Sequence, residues 1–221
     1  MSPVPVALGL RAVRGGAVTV GVALEAETPR VVLSTFLATA AEGDRLAFEP
    51  YHVAVEVAQS RAGRPQRGRT PYPAEVLAEA TSVIAEGRQR QDAMAIAGVD
   101  RIGDRLRTDG CEPNIAALLL NRAGWLTEEL RLPHSLSAPE HPPVIEGLAV
   151  RDALRFALGQ VGVRVTEMDE KSLPEVAAQV LGLSSAALDA RLKELGSSAG
   201  KPWRKEQKLA CLAAWVALAA R

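Results

Sequence analysis

Near the start of the chain, apolar and polar positions alternate with a period of two. Val18, Val20, Val22 and Leu24 are separated by Thr19, Gly21, Ala23 and Glu25, which puts one apolar row on one face of a strand. An apolar run over 6–13 precedes it across Arg14-Gly15-Gly16, and a glycine pair supplies the positive φ angles of a tight hairpin. A third run over 30–39 follows Glu27-Thr28-Pro29. The pattern predicts three antiparallel strands joined by short turns.

After Glu42-Gly43-Asp44 the pattern changes. Pro50 suits the first turn of a helix, where its missing N–H costs nothing, and a helix is expected there although Val53, Val55 and Val57 alternate. The stretch 61–71 holds Arg61, Arg64, Arg67 and Arg69 among glycines and prolines and reads as a loop. From Ala74 the spacing becomes three and four, with Val76, Leu77, Ala80, Val83 and Ile84 marking a helix towards Ile96 that weakens at Gly87. A second helical pattern through Val99, Ile102 and Leu106 ends near Gly110.

The compact apolar run 115–120 reads as a buried strand, and the helix before it makes a crossover the natural connection. Four prolines between 133 and 143 mark a linker or long loop; 146–161 is helical, 163–168 a further strand, and 174–181, 184–195 and 203–220 are helices.

Composition narrows the function classes. The 221 residues carry 26 Lys and Arg against 26 Asp and Glu, so no long-range field of one sign draws the chain to nucleic acid or an acidic membrane, and only local patches can bind anions. With 48% hydrophobic and 24% charged residues the chain is globular in character. It holds neither a long apolar span nor an evident leader, so a soluble, cytoplasmic protein is expected, with no membrane partner. Cys111 and Cys211 lack metal-ligand spacing and imply neither a disulfide framework nor a zinc site.

Three antiparallel strands, a helix, a strand, a helix, a strand and a closing helix resemble the ribonuclease H-like superfamily, and within it the RuvC-type branch of junction-resolving nucleases. The resemblance is carried by Leu8-Gly9-Leu10-Arg11 before a tight turn and by the block from Gly147 through Val163 to Glu167. It continues in Lys205-Glu206-Gln207 and the closing helix after Leu209. It implies an α/β fold with a mixed sheet, three antiparallel strands and then two parallel ones, flanked by helices. Residues 1–170 would form the core, with an insertion at about 42–97, and 171–221 a helical extension containing a helix-turn-helix-like hairpin and the closing helix.

Such nucleases need clustered carboxylates, because paired divalent metals are held by hard oxygen ligands. The resemblance places one acid on the first strand, one at the end of the fourth and one or two near the start of the last helix. Arg11, Asn121, Ala210 and Ala213 stand at those positions, and Arg11 repels a metal cation. The implied protein is a degenerate, bacterial-type member with no metal and no cofactor, and leans towards being no enzyme. Mg or Mn enters only if displaced acids such as Glu25, Glu128 or Glu129 rebuild the site.

Other candidates are local. Glu49, His52 and Glu56 share one helical face, either as a carboxylate and histidine metal motif or as an ordinary solvated face. The arginines of 61–69 suit phosphates, with Tyr72 the sole aromatic nearby for stacking. Residues 175–192 fit a helix-turn-helix, with Gly182 making the turn, Ser184 capping the second helix and Leu188 locking the pair. The second helix offers few groups for base edges, while Arg204, Lys205 and Lys208 supply a basic flank. His134 and His141 read as loop histidines and Cys211 as a core residue. The expected partner is DNA or RNA, bound weakly and in a salt-sensitive way, or a protein or second copy meeting the last helix through Trp203 and Trp215.

Overall fold

The computed structural model describes residues 3–63, 72–120 and 142–220. Its centre is a five-stranded sheet in the order β3-β2-β1-β4-β5. Strands β1 (Val4–Val13), β2 (Gly16–Glu25) and β3 (Thr28–Ala38) form an antiparallel meander. Strands β4 (Cys111–Leu120) and β5 (Arg164–Asp169) run parallel to β1 on its other side. Three antiparallel strands followed by two parallel ones is the arrangement that the ribonuclease H-like resemblance implies.

The turn from β1 to β2 uses Gly15 at φ 77°, with the Phe48 ring packed where a side chain would stand. Between β2 and β3 the expected turn was Glu27-Thr28-Pro29, but it falls earlier, on Ala26 and Glu27, at φ 47° and 68°. Pro29 lies inside β3, which is tolerated because β3 is an edge strand. Pro113 lies in β4 at a register shift opposite Val6, where a bulge accommodates the missing donor.

Helices cover both faces of the sheet. On one side the C-terminal part of α3 (Ala74–Thr108) and α4 (Pro142–Gln160) bury Val99, Ile102, Leu106, Val150, Leu154 and Leu158 against Leu8, Leu10, Leu33, Leu37 and Leu118. The two helical patterns expected on either side of residue 97 are one helix of 35 residues. Gly87 does not break it. A Cβ there would lie 2.5 Å from the Leu46 carbonyl oxygen, so the glycine admits the short helix α1 (Arg45–Phe48) and Pro50. The expected helix from Pro50 is α2 (Pro50–Ala62), which packs on the N-terminal half of α3 through Ala54, Ala58, Val76, Ala80 and Ile84.

On the other face lie α5 (Leu173–Leu181), α6 (Ser185–Ala199) and α7 (Lys205–Ala219). The α5 to α6 hairpin follows its sequence pattern: Gly182 takes the left-handed conformation at φ 64°, Ser184 accepts the N–H of Ala187, and Leu188 is buried. Helix α7 is the hub of this layer, and every residue from Ala210 to Leu218 is buried. That corrects the expectation of an apolar last helix free to meet a second copy. Trp215 is buried, and the indole N–H of Trp203 donates to the Leu192 carbonyl oxygen at 2.9 Å, so both rings are used inside the fold. No helix among the described residues is long and apolar enough to cross a membrane.

Candidate nucleic-acid interface

The carboxyl ends of the parallel strands converge on one rim of the sheet. Arg11 of β1 lies opposite Leu119 of β4, which lies opposite Met168 of β5, and the N–H of Glu170, just past β5, donates to the Leu120 carbonyl oxygen at 2.8 Å. Strand periodicity puts Arg11 on the same face as Gly9, the face covered by α7. Its guanidinium forms a fork with Glu170, Nε donating to Oε2 at 2.9 Å and Nη2 to Oε1 at 3.1 Å. Glu206, in the first turn of α7, places Oε1 4.0 Å from Nη1.

This geometry tests whether the divalent cations implied by the resemblance suit the site. A metal pair needs several carboxylates facing a common point, with coordination positions left for water and phosphate. Here two carboxylates flank a guanidinium, a cationic group with donors only and no lone pair to offer a metal. No group of three or more metal-ligating side chains is assembled among the described residues. The described residues do not fit a two-metal centre.

The last helix meets Arg11 one turn earlier than the sequence reading placed it. Ala210 lies beneath Gly9, so close that a Cβ on Gly9 would fall 1.8 Å from the Ala210 carbonyl oxygen, and Ala213 is fully buried in the same core. These alanines are packing residues, while Glu206, at the preceding helical position, reaches the rim. Asn121, Glu128 and Glu129 lie outside the described residues. Glu25 closes the opposite end of β2, where it pairs with Arg30 at 3.4 Å, and cannot reach the Arg11 rim.

The basic candidates separate into two groups. Arg204, Lys205 and Lys208 are exposed around the start of α7 and have no ion pair among the described residues. Arg61 ends α2, and its fork to Glu79, at 3.1 and 3.0 Å, raises the guanidinium pKa and spends its charge locally. Helix α2 packs on α3 and α4, the layer on the other side of the sheet from α7, so the structure does not bring Arg61 together with the basic flank. Arg64, Arg67 and Arg69 lie outside the described residues, as do His134 and His141.

The Glu49, His52 and Glu56 motif is also closed by an arginine. Arg45 donates to Glu56 at 2.8 and 2.6 Å and to Glu49 at 2.7 Å, which lowers the Glu56 pKa and raises its own. His52 instead turns Nδ1 to the Oε1 of Glu146, at 3.3 Å. Cys211 is fully buried, and loss of solvent pushes its thiol up to about 12, away from nucleophilic use.

Sequence reasoning missed Glu170, Glu206 and Phe36. Glu206 was legible as one helical turn before Ala210, on the same stripe. Phe36 follows from register: Arg11 pairs with Val18 and Val18 with Phe36, so all three share one sheet face and one row. Phe36 is 51% exposed, whereas Tyr72, expected to be the nearby stacking ring, is buried in the packing of α2 on α3.

No family model matches the chain, and none of the curated proteins does. Among solved structures, the chain is similar to the Thermus thermophilus RuvC structure with a TM-score of 0.50 and 12% identity, over 97% of this chain and 93% of that one. A second match is T. thermophilus RuvC in complex with Holliday junction substrate, with a TM-score of 0.49 and 12% identity, over 96% and 91%. The chain therefore has the RuvC form of the ribonuclease H-like fold.

Proposed function

We propose that this nuclease-fold protein is a non-catalytic module that holds nucleic acid, or sits within a nucleic-acid-processing assembly, through the rim formed by β1, β5 and the start of α7. The observation that carries the reading is the Arg11 to Glu170 fork, in which a fixed cation stands where cleavage chemistry needs exchangeable ones. Arg204, Lys205 and Lys208 then provide charge for backbone phosphates, and the exposed Phe36 ring provides one flat apolar surface in the row of Arg11. One ring and a handful of cations on a neutral protein make a weak, salt-sensitive binder with little sequence preference. The fold supplies the frame, and the side chains at the rim supply the argument about function.

The test is fluorescence anisotropy with labelled branched, double-stranded and single-stranded DNA, repeated with RNA, at about 50 and about 200 mM salt. Binding to at least one probe is expected. It should weaken steeply with salt and fall about tenfold or more when Lys205→Glu and Lys208→Glu are combined, since each lost phosphate contact removes counterion release. The same probes incubated with Mg²⁺ or Mn²⁺ should remain intact. Metal-dependent cleavage refutes the reading, and absence of binding to every probe removes the form in which the protein itself holds nucleic acid.

A further inference from the structure

The edge of the sheet at β3 is built differently from the rim. Strand β3 has a neighbour on one side only, and the outward backbone groups of residues 33–38 make no hydrogen bond among the described residues. Edge strands are usually blunted by charge, proline or a bulge. Here Pro29 and the register shift opposite Gly21 and Val22 blunt only the first half, and Leu33-Ser34-Thr35-Phe36-Leu37-Ala38 carries no charge.

Alongside that half runs a groove of about 170 Å³ between β3 and α3, floored by Leu33, Leu37, Gly98 and Ile102. Gly98 creates it by letting the Leu37 side chain approach to 3.1 Å of where its Cβ would be. Arg101 and Arg105 rim it, exposed and without an ion pair among the described residues. They are one helical turn apart, about 6 Å along the axis, close to the roughly 6.8 Å between alternate residues of an extended strand.

We propose that residues 33–38 of β3 accept an extended segment of a partner protein as a sixth strand, and that Arg101 and Arg105 select a segment with acidic side chains at alternate positions. Main-chain pairing supplies affinity and the two guanidiniums supply the choice of partner. A second copy is the wrong occupant, because 31–38 contains no Asp or Glu and self-pairing would bring only further arginines to the groove. Nucleic acid satisfies the arginines but leaves the strand edge unpaired.

The probe is a fluorescein-labelled Val-Glu-Val-Glu-Val-Glu peptide titrated into the full chain, with a Val-Lys counterpart as control. The acidic peptide should bind and the basic one should not. N-methylation along one peptide edge should abolish binding while methylation along the other leaves it intact, and the amides of 33–38 should gain hydrogen-exchange protection. Arg101→Glu with Arg105→Glu should weaken binding about tenfold or more, with an unchanged thermal transition because both side chains are exposed. No binding of the acidic peptide, indifference to N-methylation on either edge, or dimerisation through β3 overturns the proposal. So does loss of DNA affinity in the arginine variant without any peptide binding.

Discussion

The Glu146 carboxylate caps α2, a helix distant in sequence: its Oε1 accepts the backbone N–H of Tyr51, 95 residues earlier, at 2.8 Å and of His52 at 3.1 Å. These two bonds tie the start of α2 to α4. Its Oε2 is buried without a hydrogen-bond partner among the described residues, and burial pushes the carboxyl up to about 7, with Glu49 adding to the rise and the two N–H groups opposing it.

A pH-dependent stability follows. The folded carboxyl holds its proton more tightly than the unfolded one, whose pKa is about 4.5, so its contribution is fully present below about 4.5 and is lost as pH rises through about 7. The loss amounts to about 3 kcal/mol. Urea unfolding from pH 4 to 8 should show wild type weakening across that window, while Glu146→Gln, which keeps the acceptor and cannot ionise, should show a flatter profile and exceed wild type near pH 8. Parallel profiles for the two proteins would contradict the assignment.

Two glycines should respond in opposite ways to the same change. Gly9→Ala drives a methyl into the backbone of α7, against the Ala210 carbonyl and the Ala214 nitrogen, and should cost about 3 kcal/mol or more by chemical denaturation. Gly147→Ala lies in α4 with open space around its Cβ and should stabilise by about 0.5–1 kcal/mol.

The turn between β2 and β3 stores strain that sequence design can remove. Ala26 and Glu27 both occupy the left-handed region, at about 1–2 kcal/mol each for ordinary residues. Replacing Ala26 by Asn and Glu27 by Gly matches the residue preference of that turn and should raise stability by about 1–2 kcal/mol in thermal or urea melts.

Converting the fixed cation at the rim to a carboxylate should create an affinity for divalent ions. Arg11→Asp adds a third acid beside Glu170 and Glu206, and Mn²⁺ binding in the range of about 10⁻⁴–10⁻³ M is expected by electron paramagnetic resonance or calorimetry, with none for wild type. Tight Mn²⁺ binding by the wild-type protein would show instead that another set of ligands serves it.

The rhythm of the chain determined most of the elements. Alternation at Val18 to Leu24, the glycines at 15 and 182, Ser184 before an apolar helix and the all-apolar run at 115–120 are local signals, because each reflects backbone geometry or burial within a few residues. Where neighbours had to be guessed, local reading slipped: Gly87 read as a weak point and is a contact point for α1, and Pro29 read as a turn and is an edge-strand residue.

Tertiary structure alone decided what stands beside Arg11. Sequence located the arginine and the absent acid, but its carboxylate partners come from the end of β5 and the start of α7, with Glu170 lying 159 residues away. The reach of α7 depends on how closely Gly9 lets Ala210 approach, and a shift of one turn exchanges Ala210 for Glu206 at the rim. Periodicity specifies which face a residue occupies, while the depth at which two elements pack specifies which residues meet, and that depth is a property of both surfaces at once.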